Sequence, residues 1–264
     1  MMENVPGLAQ RGKSLFVEFV ALLAKLGYVS DYGILQAADY GVPQCRRRLV
    51  LLAGKGFHIA LPKRTHSKFP AEGLRAWRTV GEVIRGLPKP LSLEESRARG
   101  GPQVCNWHVV RNLTARNQQR LAHAVPGRGW TTIPKRLRPD CHKDEDAGFS
   151  NVYGRMSWNR PSPTITSGCT TLSKGRFGHP RENRTISVRE AALLQTFPQG
   201  YVFDTRWMEY VCDIIGNAIP CDFAETLALA CARSLTKQRN GRDQMHDENP
   251  RGPTGVVPWV ETNS

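Results

Sequence analysis

The feature that most constrains this chain is a long basic segment that interrupts an otherwise regular hydrophobic pattern. Apolar residues recur at helix or strand spacing over 13–54 and 185–236, whereas residues 55–184 are punctuated by Pro and Gly and lack long periodicity. Residues 55–184 contain 24 Lys and Arg against 9 Asp and Glu, while the rest of the 264-residue chain contains 13 against 14. The sequence therefore predicts two regular, nearly neutral flanks around an irregular, strongly basic region.

A positive surplus confined to one region predicts a surface for a polyanion, and nucleic acid is the first candidate. Four of the six tryptophans add aromatic side chains to the same region (Trp77, Trp107, Trp130, Trp158). The alternative is a basic face that only keeps the protein in solution. Hydrophobic residues make up 40 % of the chain, which is enough for a sizeable core and excludes a disordered tail.

The N-terminal flank predicts one helix followed by two strands. Residues 13–26 place five apolar side chains on one face at helical spacing (Phe16, Phe19, Val20, Leu23, Leu26). Gly27 is typical of the position just past a helix end. Residues 29–35 predict a strand, and the continuous apolar run 49–53 predicts a buried one. This order is typical of the end of an α/β sheet, so we expect residues 1–54 to be part of such a domain.

The C-terminal flank predicts helices. Ser187, with Glu190 three residues later, is the signature of a capped helix start, and we expect Arg189 and Glu190 to form an ion pair. A last helix is predicted over 222–234. Residues 185–236 are expected to return to the α/β domain, with a loose polar tail over 237–264. In the basic region, short helices are predicted over 79–85 and 114–124.

Seven scattered cysteines, with no Cys-x-x-Cys pair, predict no disulfide framework and a reducing location such as the cytosol. Two Cys and His pairs raise the alternative of a zinc site, but their spacing fits no standard pattern, so no metal is expected (Cys105 and His108, Cys141 and His142). No apolar run approaches the roughly 20 residues of a membrane helix, so membrane association is not expected.

Four short motifs, in order, resemble those of the cytosine-5 DNA methyltransferases. They are Glu3-Asn4-Val5, Gln44-Cys45-Arg46-Arg47-Arg48, the fifteen residues 184–198 and Gly216-Asn217-Ala218-Ile219-Pro220. The first two are similar to the family's ENV and Q-x-R-x-R motifs, and the others to its last two motifs. ENV alone is a weak signal, whereas the fifteen-residue match, followed at the expected distance by Gly-Asn-Ala-Ile-Pro, is specific. The basic region 55–184 lies where the family has its target-recognition region.

This resemblance implies an α/β fold: the C-terminal part of a Rossmann-like methyltransferase sheet with a smaller, irregular, strand-rich target-recognition domain. It also implies transfer of a methyl group from S-adenosylmethionine to carbon 5 of cytosine in double-stranded DNA, as in restriction-modification systems. Carbon 5 is a poor nucleophile in an intact duplex. The family therefore everts the base and adds a thiolate to carbon 6, so that negative charge develops toward ring nitrogen 3.

The resemblance gives catalytic roles to Glu3, Arg46 and Arg48. Glu3 corresponds to the acid that contacts ring nitrogen 3, Arg48 to the group that holds the base, and Arg46 to the surrounding site. Because side chains alternate along an extended backbone, Gln44, Arg46 and Arg48 are expected on one face. The alternatives are a solvated Glu3 near the terminus and a basic strand edge that contacts phosphate.

Cofactor and DNA contacts are also implied. Asn217 and Ala218 correspond to contacts with S-adenosylmethionine, since a Gly-Asn turn lets the backbone approach a ligand closely. A simple turn beside a helix is the alternative. Four basic residues are candidates for phosphate or base contacts (Arg155, Arg160, Lys174, Arg176).

The sequence also departs from the family pattern. It contains neither the Phe-x-Gly-x-Gly loop that cradles S-adenosylmethionine nor the Pro-Cys-Gln loop that carries the nucleophile. Cys221 follows Pro220 but precedes Asp222, so it is interpreted as a thiol at a helix start. We therefore expect a truncated or split methyltransferase that is inactive alone, with a separate chain carrying the missing motifs as one possibility. The alternative is a non-catalytic DNA-binding subunit or remnant.

Overall fold

The computed structural model describes residues 1–143 and 149–246. Its strands are β1 (Met2–Asn4), β2 (Tyr28–Gln36), β3 (Arg47–Lys55), β4 (His66–Ser67), β5 (Arg75–Ala76), β6 (Leu91–Ser92) and β7 (Val109–Val110). Its α-helices are α1 (Gly7–Gln10), α2 (Lys13–Lys25), α3 (Val80–Ile84), α4 (Leu93–Ala98), α5 (Ala115–His123), α6 (Val188–Leu194), α7 (Met208–Asn217) and α8 (Cys221–His246). Both predicted strands of the N-terminal flank are confirmed, and the first predicted helix corresponds to α2.

The main sheet is antiparallel, with strand order β1-β3-β2. Its central strand β3 is covered on both faces, which explains the continuous apolar run 49–52. On one side Val50 and Leu52 pack with Phe223 of α8, and on the other Leu49 and Leu51 pack with α2. The ENV segment forms strand β1, which is too short for periodicity to predict.

Helix α2 contacts the sheet through a narrower stripe than its sequence predicts. Phe16 is buried, and Val20 and Leu23 pack beside it. Phe19 and Leu26 were expected on the same buried face but are 38 % and 56 % exposed. The α2 helix is therefore only partly covered by the residues that the structure describes.

The basic region is irregular, as expected, but it contains less strand than its Pro and Gly pattern suggested. Its strands β4 to β7 are two residues each, and they form two small parallel pairs. The two predicted helices are present as α3 and α5, and a third, α4, begins at Ser92 with a capping box to Glu95. Such caps stabilise a helix start by about 1 kcal/mol, which helps helices this short to form.

The largest core joins the basic region to the C-terminal flank. Trp107, Met156 and Phe177 of the basic region pack with side chains of α6 and α7, such as Leu194 and Val211. Of the C-terminal flank, α8 packs against the main sheet through Phe223 and Leu227, while α6 and α7 pack mainly with the basic region. The buried core thereby fixes the basic region relative to α6 and α7.

Helix α8 is longer than predicted. It continues to His246, whereas a loose tail was expected from residue 237, and residues 247–264 lie outside the described part of the chain. By length and composition alone, the stretch Met208–Asn240 would qualify as a membrane helix. It consists of two helices interrupted at residues 218–220, and Val211 and Phe223 are buried in different protein cores.

A buried ion pair connects the basic region to α6, but its arginine is not the expected one. Arg184 donates to both carboxylate oxygens of Glu190, at 2.8 and 2.9 Å. Glu190 also closes the capping box with Ser187, as predicted. Arg189 instead donates to backbone carbonyls of Asn106 and Tyr201, so the predicted ion pair between Arg189 and Glu190 was wrong.

The stability of this region is expected to fall as the pH drops from 7 to 5. Burial, and then repulsion by Arg184, lower the pKa of the adjacent His179 to about 4. An unfolded histidine has a pKa near 6.5, so below that pH the unfolded chain binds a proton that the folded chain excludes. The free energy of unfolding should therefore decrease by about 2 kcal/mol across this interval, measured by urea unfolding.

The control for this prediction separates His179 from the other histidines. In His179→Asn, which keeps a side-chain acceptor, the loss between pH 7 and 5 should become clearly smaller, and the remainder is expected from His66, whose pKa is also lowered, first by burial. In His123→Gln, at an exposed position, it should remain. An unchanged pH dependence in His179→Asn would contradict the assignment.

Candidate active site

Glu3 and Arg48 meet across the main sheet. In the β1 and β3 pairing Glu3 lies opposite Val50, so Arg48 is its diagonal neighbour on the same face. The Arg48 Nε lies 2.8 Å from the Glu3 Oε1, and the two side chains are 14 % and 24 % exposed. The alternative of a fully solvated Glu3 is therefore wrong, because strand β1 holds this carboxylate beside an arginine.

Arg46 is buried behind this pair and is held by backbone carbonyls. Its Nη1 donates to the carbonyl of Ile165 at 3.1 Å, and its Nη2 to that of Gly216 at 3.4 Å. Gln44 is also buried, and its Nε2 donates to Gln195 Oε1 at 2.8 Å. The side chains of residues 44 and 46 thus contact the recognition region and the C-terminal flank, whereas Arg48 faces Glu3.

The segment 162–165 fixes the backbone around these arginines. The Cys45 N–H donates to the Ser162 carbonyl at 2.8 Å, and the Ser162 N–H donates to the Pro43 carbonyl at 2.9 Å. The Ile165 N–H completes the contact by donating to Gln44 Oε1 at 2.9 Å. These bonds hold the start of the Q-x-R-x-R segment against residues 162–165, which contributes to the preorganisation that a charge-stabilising site needs.

The electrostatics of the site are dominated by two adjacent cations. Burial, and then the charge of Arg48, lower the pKa of Arg46 to about 10, while Glu3 opposes the shift. Burial also lowers the pKa of Arg48, again opposed by Glu3. Both guanidinium groups therefore remain charged near neutral pH. One carboxylate faces two positive charges, so the site carries net positive potential toward any group in which negative charge develops.

The Gly-Asn-Ala turn that resembles a cofactor contact lies at the end of α7. The Asn217 side chain is exposed and offers an amide to a ligand, whereas the Ala218 carbonyl already accepts from Gln195 Nε2 at 3.2 Å. A Cβ at Gly216 would collide with the backbone of Ser167, so this glycine serves close packing within the protein rather than approach to a ligand. Of these three residues, only Asn217 therefore presents a polar side chain with which a ligand could form a contact.

The four candidate DNA contacts differ in accessibility. Arg155 is 5 % exposed and donates to the backbone carbonyls of Leu121 and His179, so its prediction as a DNA contact was wrong. Its guanidinium holds the recognition region together. Arg160 and Lys174 are exposed, and Arg176 is half-buried with one N–H donated to the Gly127 carbonyl at 2.9 Å.

Arg176 also links the basic region to the Q-x-R-x-R segment. Burial raises the pKa of the Cys45 thiol, and the positive charges of Arg176 and Lys68 partly offset that rise. Burial lowers the pKa of Arg176, to which the neighbouring charge of Arg160 contributes. Cations of the recognition region therefore act electrostatically on Cys45, within the segment that carries Arg46 and Arg48.

His108 and Cys221 are engaged in contacts within the protein. All seven cysteines are free. His108 shares hydrogen bonds at both ring nitrogens, with the Pro88 carbonyl and the Ser187 hydroxyl, which leaves no lone pair for zinc. Cys221 begins α8, and burial followed by the charge of Asp222 raises its pKa. A raised pKa disfavours the thiolate and with it a role as nucleophile.

Sequence reasoning missed the residues that position Gln44 and Arg46. Gln195, Ile165 and Gly216 hold Gln44 and Arg46, yet they lie more than 100 residues away along the chain. Two of these contacts are made by backbone carbonyls, which no side-chain pattern reveals. A signal for Gln195 was present, since a glutamine ends the helical run of the fifteen-residue motif.

Comparison with known proteins identifies the family of the chain. The model of the C-5 cytosine-specific DNA methylase family matches residues 1–233. The type II methylase M.HgiDII of Herpetosiphon aurantiacus is 38 % identical over 240 residues, which cover 89 % of this chain and 64 % of that protein. The type II methyltransferase M1.BsuMI of Bacillus subtilis is 34 % identical over 87 % of this chain and 50 % of its own length.

Two solved structures share the fold. A DNA modification methyltransferase encoded within a prophage (E. coli) superposes with a TM-score of 0.58 and 21 % identity, covering 89 % of this chain and 68 % of that chain. The Dnmt2 methyltransferase of S. pombe superposes with a TM-score of 0.52 and 14 % sequence identity. The superposition covers 87 % of this chain and 64 % of that chain. The predicted α/β methyltransferase fold is thereby confirmed.

This protein belongs to the C-5 cytosine-specific DNA methylase family. The resemblance deduced from its four motifs is confirmed. The chain spans between half and two thirds of the length of the two curated relatives described above.

Proposed function

We propose that these residues form the base-holding and DNA-recognition part of a DNA cytosine-5 methyltransferase that acts in the cytosol on double-stranded DNA. The observation that supports this function is the Glu3 and Arg48 ion pair, which lies beside the buried Arg46. A carboxyl group and a guanidinium group in contact can together hold a flat, polar ring by its edge.

In the proposed mechanism the cytosine leaves the duplex and its edge meets this pair. Glu3 hydrogen-bonds ring nitrogen 3 and the exocyclic amine, and it supplies the proton that balances charge developing at nitrogen 3. Arg48 donates to the oxygen on carbon 2, and Arg46 keeps the potential positive around it. S-adenosylmethionine supplies the methyl group when bound, and Asn217 is the residue here that offers it a polar contact.

The attacking thiolate is proposed to come from a Pro-Cys-Gln segment outside these 264 residues. That segment would lie in a longer form of this polypeptide or in a separate chain. On this proposal the 264 residues bind DNA but transfer no methyl group by themselves. The raised pKa of Cys221, caused first by burial, disfavours this thiol as a substitute nucleophile.

A second candidate function is a non-catalytic DNA-binding subunit or remnant of a restriction-modification system. The observation that favours it is the combination of exposed Arg160 and Lys174 with a sequence that contains no Pro-Cys-Gln. Both functions require duplex binding. They differ in whether a polypeptide that carries the missing motifs, when added to this chain, produces methyl transfer from labelled S-adenosylmethionine to duplex DNA.

Duplex binding is expected to depend steeply on salt. Each phosphate contact contributes about 0.9 to the slope of log affinity against log salt concentration. We expect the double variant Arg160→Gln and Lys174→Gln to reduce this slope by about 2, as measured by fluorescence anisotropy with a labelled duplex between 50 and 200 mM KCl. The matched double variant Lys13→Gln and Lys25→Gln, on α2, should leave it unchanged. Salt-independent binding, or none, would contradict DNA recognition by this region.

A further inference from the structure

A second basic cleft lies in the recognition region, apart from the residues assigned above. It has a volume of about 480 Å³ and opens between the end of α3 and the loop 179–184. Trp158 forms one wall. Three exposed cations surround the opening, and we refer to them as the rim cations (Arg85, Lys89, Arg181).

The lining of the cleft carries a net positive charge. Its two carboxylates belong to Glu182 and Glu190, and both are paired with Arg184, at 3.0 and 2.8 Å. Among the described residues, no rim cation forms an ion pair of its own with a carboxylate. Together with Arg184, the rim cations thus place four positive charges against two carboxylates around one small concave space, an arrangement that favours a bound anion.

The Trp158 ring orients the rim guanidinium groups. The Arg181 Cζ lies 4.1 Å from the indole centroid, and the Arg85 Cζ lies 5.9 Å from it. Stacking uses the flat face of a guanidinium and leaves the N–H groups at its edge free for bidentate donation to phosphate oxygens. The indole itself is fixed, because Gly81 N–H donates to the Trp158 carbonyl at 2.8 Å and Gly81 leaves no space for a Cβ beside the ring.

The cleft is connected to the base-holding site by a short run of cations. Trp158 is two residues from the exposed Arg160, whose carbonyl accepts from the Val80 N–H at the start of α3. Burial lowers the pKa of Arg176, and the charge of Arg160 adds to that effect, whereas burial raises the pKa of the Cys45 thiol and the charge of Arg176 partly offsets the rise. A polyanion lying along this surface would reach both sites.

We propose that the Trp158 cleft binds a phosphate of the DNA backbone, at a distance from the cytosine that is modified. This inference rests on the proposed DNA methyltransferase function. It adds a site that holds the sugar-phosphate backbone without contacting the bases. Arg181 would therefore position the duplex on the protein and would not contribute to sequence recognition.

The test compares variants of Arg181 with a charge-matched control. At 100 mM KCl, Arg181→Gln should bind a labelled duplex about 5- to 10-fold more weakly than wild type, and its salt slope should decrease by about 1. Arg181→Lys should retain the slope but lose about 2- to 3-fold in affinity, because the charge remains while the bidentate fork is lost. Lys25→Gln, at an exposed position on α2, should behave as wild type.

The possible outcomes separate this site from the function on which it rests. If the wild type binds duplex with a steep salt slope, and Arg181→Gln has the same affinity and slope as Lys25→Gln, the proposed phosphate site is overturned. DNA recognition by the protein is then left intact. If the wild type does not bind duplex at any salt concentration, both are overturned. Inorganic phosphate could also bind saturably to the wild type but not to Arg181→Gln. If the salt slope of duplex binding is the same in both proteins, the cleft is a site for free anions, and the proposal is overturned.

Discussion

Arg184→Met is expected to lower the free energy of unfolding by about 3–5 kcal/mol, measured by urea denaturation at pH 7. The reason is that Glu190 is 1 % exposed and both its oxygens accept from Arg184. Removing the guanidinium leaves a buried carboxylate without its counter-charge. A domain of this size is stable by only about 5–15 kcal/mol, so such a loss is a large fraction of the total.

The matched control is Arg181→Met, which removes a nearby arginine that is exposed and not paired with a carboxylate. Its effect on stability should stay within about 0.5 kcal/mol. The double variant Arg184→Met and Glu190→Gln should recover part of the loss, because no unpaired charge then remains. A loss below 1 kcal/mol in Arg184→Met would contradict the role of this pair.

The ion pair illustrates which contacts a sequence can and cannot predict. Arg189 and Glu190 are adjacent in the chain, and the predicted pairing used that adjacency. Successive residues on a helix point about 100° apart and do not face each other, so the geometry of α6 excludes it. Arg184 precedes the helix and can reach Glu190 at its first turn, which is visible only once the helix start and the loop before it are known.

The same limit applies to the basic residues. Composition correctly identified a basic region, but it could not separate exposed arginines from buried ones. Arg155 is used internally to hold backbone carbonyls, whereas Arg160, five residues later, is exposed. An arginine's long side chain can satisfy its donors within the protein or in solvent, and only the tertiary structure decides between them.

Elements with strong local signals were predictable, and elements defined by tertiary contacts were not. The apolar run of β3 and the Ser187 capping box required only neighbouring residues. The capping signature at Ser92 and Glu95 was equally visible and would have revealed α4. Helix α7 was missed because its exposed face carries Tyr210 and Ile214, which obscures the separation of an apolar and a polar face expected of a surface helix.

The candidate site depended on resemblance more than on pattern. A glutamate third from the first residue has no distinguishing local feature, and only the ENV motif connected Glu3 with Arg48. The structure supplies the physical link, because strand β1 pairs with β3 and brings the two side chains within 2.8 Å. Their role in catalysis remains a prediction.

The purified 264-residue chain is expected to transfer no methyl group from labelled S-adenosylmethionine to duplex DNA. When a polypeptide carrying the Phe-x-Gly-x-Gly and Pro-Cys-Gln motifs is added, transfer should appear and should depend on the base-holding pair. Glu3→Gln and Arg48→Ala should each lower kcat by about 10²–10³-fold, the range observed when a single charge-stabilising group is removed from an active site.

Arg47→Ala provides the matched control for this experiment. Arg47 lies between Arg46 and Arg48, but it is exposed on the opposite face of β3, so its loss should change kcat by less than about threefold. Transfer by the chain alone would contradict the proposal that the nucleophile lies elsewhere. Equal activities of Arg48→Ala and Arg47→Ala in the reconstituted enzyme would instead contradict the base-holding role. If no transfer appears with a partner that binds S-adenosylmethionine, the DNA-binding alternative is favoured, because these residues would then recognise the duplex without completing a catalytic site.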